Sequence, residues 1–376
     1  MVFDEREGGL DMTYPKMTEY ETPLGRVRIV ETQNLKSAYS DFYRYYFNKV
    51  TGHFIRFGKT WDDDPTWSPA GPEILDIEIS TDGCPNACPW CYKGNTNGPP
   101  TNMAFETFKS ILDKFPRTLT QIAFGITGVK TNPDFFKMME YARQEGIVPN
   151  FTLSGIDLDD ESAKRCASLV GAVAVSAYKD DKNACYDTVK KFVDLGIVQT
   201  NIHLMVSNQT MDFVKEVLKD RLTDKRLKGM NAIVFLGVKP KGRAASGYSL
   251  LADYSELIAF CLKNGIGFGF DSCSAPKFNA WVAKSGLPDD CKKELISISE
   301  PCESSLFSSY VNVLGEYWHC SFSENELGQS CINVLDAKDF LKDVWWSPEV
   351  ERFRKKVQDS RANDCGNCHV YPQIRA

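Results

Sequence analysis

The sequence predicts an α/β fold in which alternating strands and helices build a parallel sheet or barrel, preceded by an N-terminal β-hairpin region and followed by a small C-terminal α+β module. Three observations carry this. From Glu73 onward, short apolar runs alternate with amphipathic stretches of helical period. After about Ala275 that alternation breaks into cysteine-rich segments. Before residue 73 the chain is polar and aromatic, and Phe42–Phe47 and His53–Phe57 flank a Thr51-Gly52 turn.

In chain order, the hairpin leaves through Asp62–Gly71, where three acids, Pro65, Pro69 and Gly71 read as a linker. Strands are expected at Ile74–Ile79, Gln121–Phe124, Pro149–Leu153, Ala172–Ser176, Asn201–Met205, Ala232–Leu236 and Gly267–Phe270. Helices are expected between them at Ala104–Phe115, Pro133–Gln144, Glu161–Leu169, Asp187–Leu195 and Met211–Leu222. Beyond the last strand come a hairpin around Gly315 and helices at Ala337–Val344 and Pro348–Val357. The expected division is therefore 1–72, 73–274 and 275–376. The last region has a thin core, which suits a module stapled by metal.

Lys plus Arg (44) against Asp plus Glu (50) gives a formal net charge of -6, which offers no long-range attraction to nucleic acid or anionic membranes. No apolar run approaches the ~20 residues needed to span a bilayer, and the acidic N-terminus does not read as a secretory signal. A cytoplasmic location is expected. There, 13 cysteines point to thiols, metal ligands or catalytic groups rather than to a disulfide framework.

The first cysteine group, Cys84-Pro85-Asn86-Ala87-Cys88-Pro89-Trp90-Cys91, follows the first strand. Chemistry in a parallel α/β barrel is placed at that end of the strands. Three thiolates leave one iron of a four-iron cube open to another ligand. A zinc site would need a fourth Cys or His, and His53 and His203 are far away in sequence. Three unrelated core cysteines are a poor account of so compact a spacing.

Cys-x3-Cys-x2-Cys with Trp90 before its last cysteine resembles the signature of the radical S-adenosylmethionine (SAM) superfamily. The resemblance covers roughly Glu73 to Asp271 and implies a partial (βα)6 TIM-like barrel. It implies a [4Fe–4S] cluster on Cys84, Cys88 and Cys91 whose open iron chelates SAM. Reduction by a flavodoxin or ferredoxin type of electron donor would then cleave SAM to a 5′-deoxyadenosyl radical that abstracts a substrate hydrogen. Where many members carry Gly-Gly-Glu-Pro, this chain has Gly125-Ile126-Thr127-Gly128, so Gly125 and Thr127 would take that role without the acid. Ser154, Ser176, Asn201 and His203 stand where family members contact SAM. Each reads equally well as a strand-end hydrogen-bonder or, for His203, a core histidine.

Cys302, Cys320, Cys365 and Cys368 form a second group that could saturate a cube or a four-cysteine zinc site. Their separations of 18, 45 and 3 residues, with Trp345-Trp346-Ser347-Pro348 between, resemble the twitch subdomain, the shorter relative of the SPASM domain. That implies one auxiliary [4Fe–4S] cluster and two clusters in all, with Cys331 as a substitute ligand. Only eight residues follow Cys368, none of them Cys, so a second auxiliary cluster is not expected. Cys166, Cys185, Cys261 and Cys291 read as small buried hydrophobes. Asp271 and Cys273 end the last barrel strand on the substrate side. Asp271 is a candidate proton acceptor and Cys273 a candidate hydrogen-atom donor, against plain loop and packing roles.

Modification of a peptide or protein is the leading functional expectation, with the N-terminal hairpin either binding that peptide or capping the barrel. The alternatives are oxidation of a small substrate such as a sugar alcohol, nucleotide or nucleic-acid modification, which the acidic charge weakens, and a non-catalytic iron–sulfur or zinc scaffold.

Overall fold

The computed structural model describes residues 14–60, 63, 65–156, 158–297, 299–326, 332–362 and 368–372. Its first five strands are β1 (Lys16–Thr22), β2 (Gly25–Glu31), β3 (Leu35–Tyr39), β4 (Arg44–Asn48) and β5 (Phe54–Phe57), which pair in sequence order as an antiparallel meander. The expected hairpin is the β4–β5 pair, with Phe47 opposite Phe54. It is corrected from a lone hairpin to the last two strands of five. β1 and β2 interleave charged with apolar side chains, so Val27 and Ile29 are the apolar residues of β2 that are buried, beside the buried acid Glu31, and β1 buries none fully. Such strands carry little apolar signal.

The large sheet begins at β6 (Ile74–Glu78). Two short strands, β7 (Ser80–Thr81) and β8 (Thr101–Asn102), pair with each other beyond its end. Then α1 (Phe105–Leu112), β9 (Gln121–Gly125), α2 (Phe135–Gln144), β10 (Val148–Leu153), α3 (Asp160–Leu169), β11 (Ala172–Ser176), α4 (Lys182–Asp194), β12 (Gln199–Val206), α5 (Met211–Thr223), β13 (Ile233–Gly237), α6 (Ser255–Asn264) and β14 (Phe268–Phe270) follow. Helix α6 was not anticipated.

Strands β6 and β9 to β14 are parallel and stand in chain order, so successive right-handed crossovers put their helices on one face. On that face Leu75, Ile77, Ile122, Phe124 and Phe151 pack with Phe108, Phe135 and Phe192. Each buried Phe contributes about 1.5–3 kcal/mol.

After α7 (Ala275–Lys284) and α8 (Asp289–Ser297), β15 (Ser308–Val311) adds in parallel to the free edge of β6. β16 (Glu316–Trp318) and β17 (Ile332–Asn333) continue antiparallel. The expected hairpin at Gly315 is the β15–β16 pair, and it extends the large sheet rather than founding a sheet of its own. The helix expected at Ala337–Val344 is a 3-10 turn at Val334–Asp336 and a π turn at Leu341–Trp345, ahead of α9 (Pro348–Ala362).

The N-terminal sheet is seated where the large sheet's strands begin. Tyr43 OH donates to Glu73 at 2.7 Å, Tyr45 OH to the Thr118 carbonyl at 3.0 Å, and Lys36 Nζ to the Leu119 carbonyl at 2.6 Å. Glu73 precedes β6, while Thr118 and Leu119 precede β9. The meander therefore closes one end of the sheet and leaves the other, where the strands finish, for chemistry.

Candidate functional site

The cysteine loop is enclosed by β7 and β8. Asp82, Gly83, Ala87 and Gly94 take left-handed backbone angles (φ 58, 60, 41 and 72°), which fold it tightly. The Asp82 carboxylate accepts from Thr96 N–H at 2.7 Å and Thr96 Oγ1 at 2.9 Å, and Cys84 N–H donates to the Thr96 carbonyl at 2.9 Å. Cys84, Cys88 and Cys91 thus line one cavity of about 460 Å³ at the finishing ends of the parallel strands.

Arg243, beyond β13, ties this loop down. Its Nε donates to the Cys88 carbonyl at 2.9 Å, its Nη1 to the carbonyls of Gly94 (2.9 Å) and Asn95 (2.7 Å), and its backbone N–H to the Cys91 carbonyl at 3.0 Å. Gly242 (φ 57°) lies so close that a side-chain carbon there would collide with the Cys91 and Tyr92 carbonyl oxygens. Trp90 stacks on Tyr178 and meets Tyr248 edge-on.

The loop favours a thiolate. Sharing a proton with Cys88, together with backbone N–H groups of Asn95, Lys93 and Gly94, pulls Cys91 down to about 5 against the opposing effect of burial. Cys88 is pushed up by the same shared proton and by burial. Donors aimed at sulfur are what a cluster-bearing cysteine needs.

Gly125, Thr127, Ser154, Ser176, His203, Asp271 and Cys273 line the same cavity. Gly125 runs close to β6, where a side-chain carbon would lie 3.1 Å from the Glu78 Cα. Thr127 N–H donates to Ser80 Oγ at 3.2 Å. His203 Nδ1 lies 3.4 Å from Thr152 Oγ1, and burial pulls its imidazole down to about 4, so it is neutral at physiological pH. Asn201 is not in this lining. Its side-chain oxygen accepts from Asn231 at 2.9 Å, near the other end of β12.

Asp271 is ion-paired with Lys239, which also donates to the Gly237 carbonyl at 2.6 Å. Burial opposes the Lys239 charge, yet Asp271 holds the ammonium well above its ordinary range. Cys273 is raised far above the usual thiol range by burial and is a neutral thiol.

A second cavity of about 250 Å³ abuts the first, and Asp76, Ser272, Cys273, Ser321 and Phe322 line both. Cys302, Cys320 and Cys368 line the second; Cys365 and Cys331 lie outside the described residues. Tyr371 N–H donates to Cys368 Sγ at 3.3 Å, and Cys302 Sγ to Ser304 Oγ at 3.3 Å. Burial, and then the nearby Cys302 sulfur, push Cys320 up to about 12. Tyr92 packs on Phe322 with ring centroids 4.7 Å apart, joining the two cysteine regions. Cys166, Cys185 and Cys261 are buried as expected, whereas Cys291 is exposed, on the solvent side of α8.

Among the described residues, no three His, Cys, Asp or Glu side chains close around a single ion. Cys91, Cys320 and Cys368 receive backbone N–H donors on their sulfurs, and the cavities that the two cysteine groups border have room for a polynuclear group.

Three polar residues that line the first cavity, Lys93, Lys239 and Asp76, and Arg243 behind the cysteine loop carry no evident signal as a group in the sequence. Lys93, two residues beyond Cys91, is bonded to Glu78 at 3.1 Å, Tyr310 at 3.1 Å and Glu324, so it links the loop to β6 and to the C-terminal segment. Lys239 and Arg243 follow β13 in a Lys-Pro-Lys-Gly-Arg run that resembles an ordinary basic loop. Asp76 stands mid-strand on the inner face of β6. A signal existed for it, because Asp76 and Glu78 interrupt what a parallel strand usually keeps apolar.

No family model and no curated protein matches the sequence. Solved structures do match in fold. SuiB of Streptococcus suis superposes with a TM-score of 0.62 at 12% identity, covering 86% of this chain and 90% of its own. The form bound to S-adenosylmethionine gives 0.63 and the form bound to precursor peptide SuiA gives 0.61, both at 12% identity over 86% of this chain, and cover 89% and 90% of their own chains. Native anSMEcpe with bound AdoMet and Cp18Cys peptide gives 0.54 at 19% identity, covering 76% of this chain and 83% of its own. The chain has the fold of these proteins, and at that level the likeness bears out the resemblance read from Cys84, Cys88 and Cys91.

Proposed function

We propose that the chain is a radical SAM enzyme that modifies a peptide or protein. One observation carries this: Cys84, Cys88 and Cys91 converge on the cavity where the parallel strands finish, and a second cavity bearing Cys302, Cys320 and Cys368 abuts it. Cofactor and peptide complexes of the structural neighbours support the same reading.

In this reading residues 73–274 form an incomplete barrel, 275–376 carry the auxiliary site, and 1–72 cap the opposite end. The first three cysteines would hold a [4Fe–4S] cluster. Cys302, Cys320 and Cys368, with Cys365, would hold a second. When bound, the first cluster and SAM supply a 5′-deoxyadenosyl radical. Everything else falls to this chain's residues. Arg243 and Gly242 fix the loop. Gly125, Thr127, Ser154 and Ser176 border the space for SAM, Trp90 and Tyr178 wall it, and neutral His203 offers a hydrogen bond without adding charge. Asp271, committed to Lys239, presents a fixed ion pair to the substrate, and Cys273 presents a protonated thiol. An electron donor of flavodoxin or ferredoxin type belongs to the same proposal.

The test is anaerobic reconstitution with iron and sulfide, then addition of SAM and dithionite. Wild type should hold about eight irons per chain, four in each cube, and release 5′-deoxyadenosine. Cys88→Ala should lose about half of the iron and all of the cleavage. Stoichiometric zinc in place of iron, or unchanged cleavage in the variant, overturns the reading.

A further inference from the structure

Arg243 stands behind the cysteine loop with its charge unanswered. Its Nε and Nη1 are spent on the carbonyls of Cys88, Gly94 and Asn95, and no carboxylate among the described residues lies within ion-pair distance of it. Its Nη2 is enclosed by the fold and has no acceptor among those residues. Arg56, Arg117 and Arg226 each meet an acid. The cations that line the first cavity are committed as well, Lys93 to Glu78 and Glu324, and Lys239 to Asp271. The position of Arg243 is fixed. Its backbone N–H is bonded to the Cys91 carbonyl at 3.0 Å, and the contact of Gly242 with the Cys91 and Tyr92 carbonyls holds the chain against the loop. A half-buried cation with an enclosed, idle N–H costs stability unless an anion comes to it.

We propose that Arg243 supplies the counter-charge for the iron–sulfur group on Cys84, Cys88 and Cys91, and is a positioning residue that eases its reduction. The inference rests on the radical SAM reading. Three thiolates on a four-iron cube make a negative assembly, and reduction adds one further negative charge. A fixed cation stabilises the reduced form more than the oxidised form, so it raises the reduction potential. Net charge and hydrogen bonds to sulfur are what set such potentials, and Arg243 offers both a charge and an idle donor. Its bond to the Cys88 carbonyl keeps the guanidinium within one residue of that sulfur. The electron comes from the flavodoxin or ferredoxin type of donor, which is oxidised as the group is reduced, and Arg243 keeps its proton throughout.

The test compares full-length wild type, Arg243→Gln and Arg243→Lys, reconstituted alike with iron and sulfide and poised at a series of potentials. Gln keeps an N–H donor for the loop and removes the charge, whereas Lys keeps the charge and gives up the planar fork. Electron paramagnetic resonance reads the reduced fraction per first-site iron, the first site being marked by the change that added SAM makes to its spectrum. At the potential where half of the wild-type signal is reduced, the reduced fraction should fall about fivefold in R243Q. In R243K it should stay within about twofold of wild type, even where less iron is held. Loss of all first-site iron from R243Q with retention in R243K would place the same counter-charge at assembly and support the proposal. An R243Q that titrates with wild type, an R243K displaced as far as R243Q, or loss of first-site iron from both variants overturns it, since the fork and not the charge would then matter. A wild type that takes up no iron, or whose spectrum SAM leaves unchanged, sinks the radical SAM reading instead.

Discussion

The Arg243 guanidinium donates to the Cys88 carbonyl at 2.9 Å across 155 residues of sequence, so the cysteine loop is held from outside by the segment that follows β13. Arg243→Met would leave the Cys88, Gly94 and Asn95 carbonyls without this donor. Each buried acceptor left unsatisfied costs about 1–3 kcal/mol. The urea midpoint should fall, and iron should be lost from the first site selectively. Arg243→Lys should recover only part, since an ammonium lacks the planar fork that reaches three carbonyls. Full iron retention in the Met variant would show that the loop holds itself.

The Lys239–Asp271 pair makes a prediction of the opposite kind. Lys239→Met strands a carboxylate and should destabilise by about 3–5 kcal/mol. Asp271→Asn in addition should restore most of the loss, because two neutral side chains no longer carry a lone charge. Chemical denaturation of the single and double variants measures the coupling. Additive effects would argue that the pair is not the reason for Asp271's place in the cavity.

How much of this was legible follows from which features are local. The Cys84 loop and the seven strands of the parallel series are local patterns, an exact short spacing and a run of β-branched residues, so β11 was expected at Ala172–Ser176 and stands there. The first three strands were not legible, because their charged outer faces hide a face that becomes buried only on docking. The roles of Lys93, Lys239 and Arg243 were illegible for a different reason. Their partners Glu324, Asp271 and Cys88 lie 231, 32 and 155 residues away, and no local pattern reports such pairing. Asn201 stands apart from the cavity that His203 lines because position along a strand, which decides which end of the sheet a side chain serves, depends on where β12 starts.

His203 should give the protein an acid-sensitive limb. Its folded pKa, about 4, lies below the unfolded value near 6.5, so the folded chain binds fewer protons between those values. Stability from this group is therefore lost as pH falls from 6.5 toward 4, on the order of 3 kcal/mol in total. His319, pulled down to about 3 by burial and Arg354, adds a limb of the same sign. Asp76 acts oppositely, gaining stability as pH falls through 6. His203→Gln should therefore flatten, without abolishing, the acid loss seen in thermal scans. An unchanged slope would mean that the imidazole protonates freely in the fold.

Removing metal should loosen the C-terminal segment before the rest. Cys302, Cys320 and Cys368 stand on a cavity walled by Phe353, Val357 and Val370. The segment is not as thin in core as its sequence suggests, since Phe307, Val311, Phe340 and Trp345 are buried, so metal binding would add its free energy to that packing rather than replace it. Cys320→Ala, or chelation of the wild type, should expose residues beyond Cys302 to limited proteolysis while the parallel strands resist. Equal protection with and without iron would show that packing alone holds the segment.

Arg56 is the last test, and it separates the capping role of the N-terminal sheet from catalysis. Its guanidinium bonds Glu73 at 2.7 Å and Glu303 at 3.2 Å and lies 3.5 Å above the Phe307 ring. One side chain of β5 thereby joins the entrance of β6 to the segment before β15. Arg56→Met keeps the apolar stem but strands Glu73, which is buried and left with Tyr43 OH as its named donor. A loss of about 3–5 kcal/mol is expected. Tyr43→Phe, which removes a single hydroxyl bond to the same carboxylate, should cost nearer 1–2 kcal/mol. Glu73 marks the start of the strands and the cysteine loop their finish, so 5′-deoxyadenosine formed per iron should not change in either variant at a temperature where both stay folded. A large fall in that ratio would mean that the N-terminal sheet takes part in the chemistry rather than closing the far end of the fold.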